Sequence, residues 1–216
     1  MRQWLRALPT IDRGGLPTFD PGGAPVDPGT LFTEWLADAA GSGVAMPHAG
    51  VLSTADAAGH VSGRTLILKD LSAQQWYFAT RASSPKGRDL AVNPRAALTF
   101  FWAARGRQVR LQGPVERASA RISAEDFRAR PPGSRAAGMV GRQSRPLESL
   151  HSYREAYAQA LARAEADPDW VEPDWAVYAL RPDWVEFWQE TADQGQIRLR
   201  YRSDPDGNWS RSLLWP

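Results

Sequence analysis

Residues 107–116 alternate between apolar and polar side chains. Val109, Leu111, Gly113 and Val115 fall on one parity, and Gln108, Arg110, Gln112 and Glu116 on the other. A period of two is a strand with one face on a core and the other polar, and it excludes an amphipathic helix. Only a sheet with a solvated or ligand-facing side tolerates such a strand, which points to antiparallel pairing. Gly106 precedes the run and Gly113-Pro114 interrupts it, predicting a bend or bulge there.

Further strands are predicted over residues 50–54, 64–69, 76–80, 96–102, 175–180, 184–189, 197–202 and 209–214, with turns at Ala58-Gly59 and Asp206-Gly207. The apolar run inside 64–69 predicts a buried strand, with Arg64 and Lys69 at its ends on opposite faces. Residues 70–75 are a polar connection. Asp27-Pro28 is a helix N-cap followed by proline at the first helical position, and Leu31, Trp35, Leu36 and Ala39 form that helix's apolar face up to Gly41 and Gly43. Helices are also predicted over 86–92, closed by Asn93-Pro94, over 123–129, over 134–143 and over 148–166. In the last, Leu150, Tyr153, Tyr157 and Leu161 make a stripe expected to serve packing. Many strands broken by short helices, without regular βαβ alternation, predict a mainly β (α+β) fold, an antiparallel barrel with peripheral helices.

A chain of 216 residues fits one large domain or two small ones. Prolines and paired glycines make residues 1–26 a flexible arm, leaving 27–216 as the folded domain. The formal net charge of only +2 disfavours a dedicated nucleic-acid binder, including a single-strand binder using tryptophan and arginine, but suits a local anion pocket. Without cysteine there are no disulfides, thiolate metal sites or cysteine nucleophiles, in keeping with a reducing cytoplasm. No apolar run is long enough to cross a membrane, and the first fifteen residues carry no secretory h-region. His48, His60 and His151 have no metal-ligand spacing. Dinucleotide, P-loop, nucleophile-elbow and zincin motifs are absent, so an enzyme of this sequence takes its reactive atoms from a cofactor. Ten tryptophans supply flat surfaces for a core, a subunit interface or a planar ligand. Arg64, Lys86, Arg130, Ser134, Gln143, Ser144 and Arg198 are candidate anion ligands, and Trp188 and the polar face of the Gln108 strand are candidate ring neighbours.

A set of blocks in fixed order then carries a resemblance: Arg64-Thr65-Leu66-Ile67-Leu68-Lys69, Ser84-Pro85-Lys86, Asn93-Pro94, Arg107-Gln108-Val109-Arg110, Gly113-Pro114-Val115-Glu116, Phe127 to Pro131, Ser134, Gln143-Ser144 and Glu186-Phe187-Trp188-Gln189. The ordered set, covering nearly everything after residue 27, resembles the pyridoxamine 5'-phosphate oxidase family of FMN-binding split-barrel enzymes. The resemblance implies a homodimer with FMN at the subunit interface, a small-molecule substrate and O2. It implies cofactor contacts from Arg64, Thr65, Leu66, Lys69, Thr80, Lys86, Gln108, Trp188 and Arg198, with Arg64 and Lys86 on the phosphate and Gln143 and Ser144 reaching over from the other subunit. Pro85 stands where an arginine is common, which removes one phosphate contact.

The substrate side departs further. Lys69, Arg130 and Ser134 match three of the family's four phosphate ligands, but Asp126 aligns with the fourth, a tyrosine. Gln194 and Gln196 align with the arginine and histidine over the substrate ring. These losses fall on the substrate and not on the flavin. The expected function is therefore an FMN-dependent oxidase, of the kind that phenazine biosynthesis uses, removing two electrons from a small anionic aromatic or heterocyclic substrate. Its anion is a carboxylate or a phosphate. The rival readings are a pyridoxamine/pyridoxine 5'-phosphate oxidase and a non-catalytic flavin-binding protein.

Overall fold

The computed structural model describes residues 1–193 and 195–216. In chain order its elements are α1 (Arg2–Arg6), α2 (Pro28–Gly41), β1 (Ala49–Ala55), β2 (Val61–Ile67), β3 (Asp70–Ser72), β4 (Gln75–Arg81), α3 (Pro85–Val92), β5 (Arg95–Trp102), β6 (Arg107–Arg117), α4 (Ala120–Arg128), α5 (Pro132–Met139), α6 (Leu150–Ala166), β7 (Trp175–Leu180), β8 (Trp184–Glu190), β9 (Gln196–Ser203) and β10 (Trp209–Leu213). The fold is mainly β. The chain forms two compact units, Met1–Val51 with Ala97–Gln112 and Pro182–Pro216, and Leu52–Ala96 with Gly113–Arg181.

In the first unit β10, β9, β8 and the first half of β6 form consecutive antiparallel pairs. The alternation in β6 becomes two faces. Val109, Leu111, Val185, Phe187, Leu199 and Tyr201 are all buried on one of them. Helix α2 packs with them: Trp35 meets the Phe187 ring edge-on at 5.1 Å, and Phe32 meets Phe100 at 4.9 Å. Burying each such ring contributes about 2–3 kcal/mol. Asp27 caps α2, accepting from the Thr30 amide at 2.8 Å. Further along the helix Asp38 accepts from Arg105 and Arg107. Residues 13–26 lie against this unit. Phe19 stacks edge-on on Trp35, Arg13 pairs with Glu190, and the Pro25 carbonyl accepts from the Tyr201 hydroxyl at 2.6 Å.

In the second unit β3, β4, β7 and the end of β6 pair antiparallel. The predicted interruption at Gly113-Pro114 marks a change of partner. Strand β6 pairs with β8 up to Gln112 and with β7 from Val115. Residues 70–75, expected as a mere connection, form β3 and a tight turn to β4, with Ala73 and Gln74 both at positive φ. Two non-glycine residues in that region gave no turn signal in the sequence.

Three expectations are corrected. The apolar run beginning at Thr65 is not a buried strand. β2 ends at Ile67, and its residues are exposed or half-buried, because it is an edge strand at the end of the sheet order. Helix α5 ends at Met139, so Gln143 lies beyond it in a loop. The α6 stripe packs only in its second half: Leu150 and Tyr153 are exposed, whereas Tyr157 and Leu161 are half-buried and the Tyr157 hydroxyl donates to the Gly133 carbonyl at 3.3 Å. The C-terminal end of α6 is held by the buried Arg135, whose guanidinium donates to the carbonyls of Ala164, Asp167 and Trp170. This satisfies acceptors that a helix C-terminus leaves open.

Candidate functional site

Three clusters contain most of the candidate residues, two in the second unit and one in the first. The first cluster is built where β4 runs into α3. Ser84 caps α3, its hydroxyl accepting from the Gly87 amide at 3.2 Å. Gly87 lies so close to the preceding backbone that a Cβ there would sit 2.3 Å from the Ala82 carbonyl oxygen. The helix thus starts hard against the end of β4. Lys86 Nζ reaches Thr80 Oγ1 at 3.2 Å, and Thr80 and Ser84 hydroxyls lie 3.3 Å apart.

Arg64 approaches from β2. Its guanidinium donates to Thr54 Oγ1 at 2.8 Å, to the Leu52 carbonyl at 3.2 Å and to Ser62 Oγ. Thr54 in turn donates to Asp89 at 2.6 Å. Lys86 is buried, and burial together with the Arg64 charge holds it below the ordinary lysine value, against the pull of Asp89. Burial likewise lowers Arg64. Among the described residues Lys86 makes no ion pair. Two desolvated cations sharing one more distant carboxylate, beside two hydroxyls and a capped helix start, form a phosphate-type anion site. Thr65 and Leu66 continue β2 from Arg64.

The second cluster surrounds Asp126 on α4. Lys69 Nζ lies 3.2 Å from Asp126 Oδ1, and the other oxygen accepts from Trp175 Nε1 at 2.8 Å. The Arg130 guanidinium stacks 4.2 Å above the Trp175 ring and donates to the Ser134 carbonyl at 2.7 Å. Burial lowers the Arg130 pKa, opposed by Asp126. Arg64 and Lys69 thus go to different clusters, but not through strand parity, because β2 ends at Ile67 and Lys69 lies beyond it. Trp175, which organises the second cluster, was read from the sequence only as a strand residue.

The third cluster lies on the polar face of the first unit's sheet. Register aligns Gln108 with Trp188 and Trp188 with Arg198, so three candidates occupy one row across β6, β8 and β9. Gln196 accepts from the Trp188 indole. Beside that row is a residue that sequence reasoning placed in a matching block but gave no role. Glu186 is buried and accepts from Arg110 at 3.1 Å, Arg198 at 2.8 Å and Arg200 at 2.7 Å. Burial pushes its carboxyl up, but the hydrogen bonds from Arg200 and Arg198 and the Arg110 charge outweigh that, leaving it below the ordinary value. Gln143 and Ser144 stand apart on the exposed loop after α5, where Gly141, Arg142 and Ser144 all have positive φ. Gln194 lies outside the described residues. Among the described residues no group of three His, Cys, Asp or Glu side chains could hold a metal, and no helix is long and apolar enough to cross a membrane.

Residues 36–189 match the family model described as pyridoxamine 5'-phosphate oxidase. The chain belongs to the pyridoxamine 5'-phosphate oxidase family. Residues 175–216 match that family's C-terminal dimerisation region. A pyridoxine/pyridoxamine 5'-phosphate oxidase of Bordetella avium is 38% identical, with 95% of each chain covered. One of Pseudomonas paraeruginosa is 40% identical over 89% of this chain and 90% of its own. Among solved structures, PhzG from Burkholderia lata in complex with tetrahydrophenazine-1-carboxylic acid superposes with a TM-score of 0.87 at 28% identity, covering 94% of this chain and all of that one. An FMN-binding protein from Nostoc punctiforme, 17% identical with a TM-score of 0.74 over 91% of this chain and all of its own, shares the fold. The fold is therefore the antiparallel split barrel with peripheral helices. FMN is the cofactor of this family, and the Arg64–Lys86–Thr80 anion site has the donors its phosphate requires.

Proposed function

We propose that this chain is an FMN-dependent oxidase that removes two electrons and two protons from a small, anionic aromatic or heterocyclic substrate and passes them to O2, forming hydrogen peroxide. Arg64, Lys86 and Thr80 hold the FMN phosphate. Gln108, Trp188 and Arg198 contact the rest of the cofactor, with Thr65, Leu66 and Lys69 beside it and Gln143 and Ser144 contributed by a second copy across the interface. Bound FMN supplies the two-electron acceptor. The protein's residues orient the substrate: Lys69, Arg130 and Ser134 form its anchoring subsite, and Gln196 offers a neutral hydrogen bond to the ring.

The observation that carries this reading is a contrast between two anion sites. Among the described residues neither Arg64 nor Lys86 makes an ion pair and Asp89 acts on them only from farther off, whereas in the Lys69–Arg130 site a carboxylate of the chain itself already sits on the lysine. The first fits a phosphate; the second has changed its ligand. The Burkholderia lata structure, with its bound heterocyclic acid, supports a secondary-metabolite substrate.

The second reading is pyridoxine 5'-phosphate oxidation, favoured by the names of relatives 38–40% identical. Oxygen uptake by the FMN-loaded protein separates the two. Peroxide formation with reduced heteroaromatic acids and little turnover of pyridoxine 5'-phosphate is expected. Turnover of pyridoxine 5'-phosphate at roughly 1 per second or faster overturns the proposal.

A further inference from the structure

We infer that Asp126 is the specificity-determining residue of the anchoring subsite and sets it to accept a carboxylate monoanion while rejecting a phosphate dianion. The inference rests on the reading of Lys69, Arg130 and Ser134 as the substrate's anchor and names the substrate class that anchor takes.

Both oxygens of Asp126 are engaged, one by Lys69 Nζ at 3.2 Å and the other by Trp175 Nε1 at 2.8 Å. The carboxylate is held in place and does not swing away from an incoming anion. Its side chain is 16% exposed and that of Lys69 27%, so the pair is only partly screened by water. Lys69 is thereby neutralised from within. Among the described residues Arg130 is left as the cluster's cation without an ion pair, with Asp126 acting on it from farther off. Its guanidinium is fixed over Trp175 and by the Ser134 carbonyl, and its Nε is buried without a hydrogen-bond partner among the described residues.

The formal charge of Lys69, Arg130 and Asp126 together is +1. That matches one carboxylate. A phosphate dianion would meet one net cation with a fixed carboxylate beside it, and repulsion between like charges at such range is large. A planar guanidinium offers two parallel donors to a carboxylate, so the single remaining cation suffices.

The test uses two probes with the same ring, 1-naphthoate and 1-naphthyl phosphate, at about pH 8, where the phosphate monoester is a dianion. Binding to the FMN-loaded protein is measured by calorimetry. Naphthoate is expected to bind at least about tenfold more tightly. Asp126→Asn, which keeps the acceptor for Trp175, is expected to raise naphthyl phosphate affinity roughly 10- to 1,000-fold. Asp126→Glu, which keeps the charge, is expected to retain the carboxylate preference. Equal affinity of the original protein for both probes, or an unchanged preference in Asp126→Asn, overturns the inference. Arg130→Ala separates it from the reading beneath it. Naphthoate affinity unaffected by Arg130→Ala shows that the anchor lies elsewhere, whereas affinity lost in Arg130→Ala with an unchanged preference in Asp126→Asn removes only the role of Asp126.

Discussion

Lys86 Nζ lies 3.2 Å from Thr80 Oγ1, an ammonium whose hydrogen-bond partner among the described residues is a neutral hydroxyl. Burial and the neighbouring Arg64 both disfavour its charge. A bound anion relieves that penalty. Replacing Lys86 or Arg64 with alanine is expected to weaken FMN binding by about 1.5–3 kcal/mol, as loss of a charged hydrogen bond does. Fluorescence titration of apoprotein with FMN measures it, and unchanged affinity in both variants would place the phosphate elsewhere.

The lowered Lys86 pKa also sets a pH dependence. An anion binds the protonated lysine, so affinity is full well below the folded pKa and falls as pH rises through it. Because that value lies below the ordinary lysine range, the fall is expected to begin at less alkaline pH than a solvated lysine would give. Lys86→Arg, which stays charged, should flatten the alkaline limb. A profile identical in both proteins refutes the assignment.

Gly87 tests how α3 is positioned. Alanine inside a helix is ordinarily favoured over glycine by up to about 1 kcal/mol. Here the new Cβ would lie 2.3 Å from the Ala82 carbonyl oxygen and 2.7 Å from that of Arg81, both backbone atoms that cannot turn aside. The clash should win: Gly87→Ala is expected to destabilise the protein by about 1–3 kcal/mol in urea unfolding and to displace Lys86, weakening FMN binding as well.

Glu186 serves stability and the position of Arg198. Its folded pKa lies below the ordinary glutamate value, so its contribution is present above about pH 4.3 and is lost as pH falls through the folded pKa. Glu186→Gln leaves three arginines without their shared carboxylate and should cost about 2–4 kcal/mol at neutral pH. Its stability should also depend less on pH between about 3 and 5, as urea midpoints across that range would record.

Local pattern carried much of the architecture. Parity in residues 107–116 specified two faces, and the fold puts Val109 and Leu111 in the core with Gln108 and Arg110 opposite. Asp27 announced a helix start because capping uses neighbours in sequence, whereas the Ser84 cap of α3 emerged only from the structure. The Gly113-Pro114 break was legible as a break, but not as the point where a strand exchanges one partner for another. Exposure of β2, and of Leu150 and Tyr153 in α6, was illegible, since an apolar run does not reveal whether it lies at an edge or in the centre.

The sequence by itself determined which side chains alternate, where helices begin and which cations are available, because those depend on separations of one to four residues. Tertiary structure decided what each cation faces. Lys86 meets a hydroxyl across six residues, Lys69 meets Asp126 across fifty-seven, and Glu186 gathers arginines from two other strands. Whether a charge is open to a ligand or neutralised within the chain is a matter of distance in space, and only packing sets that distance.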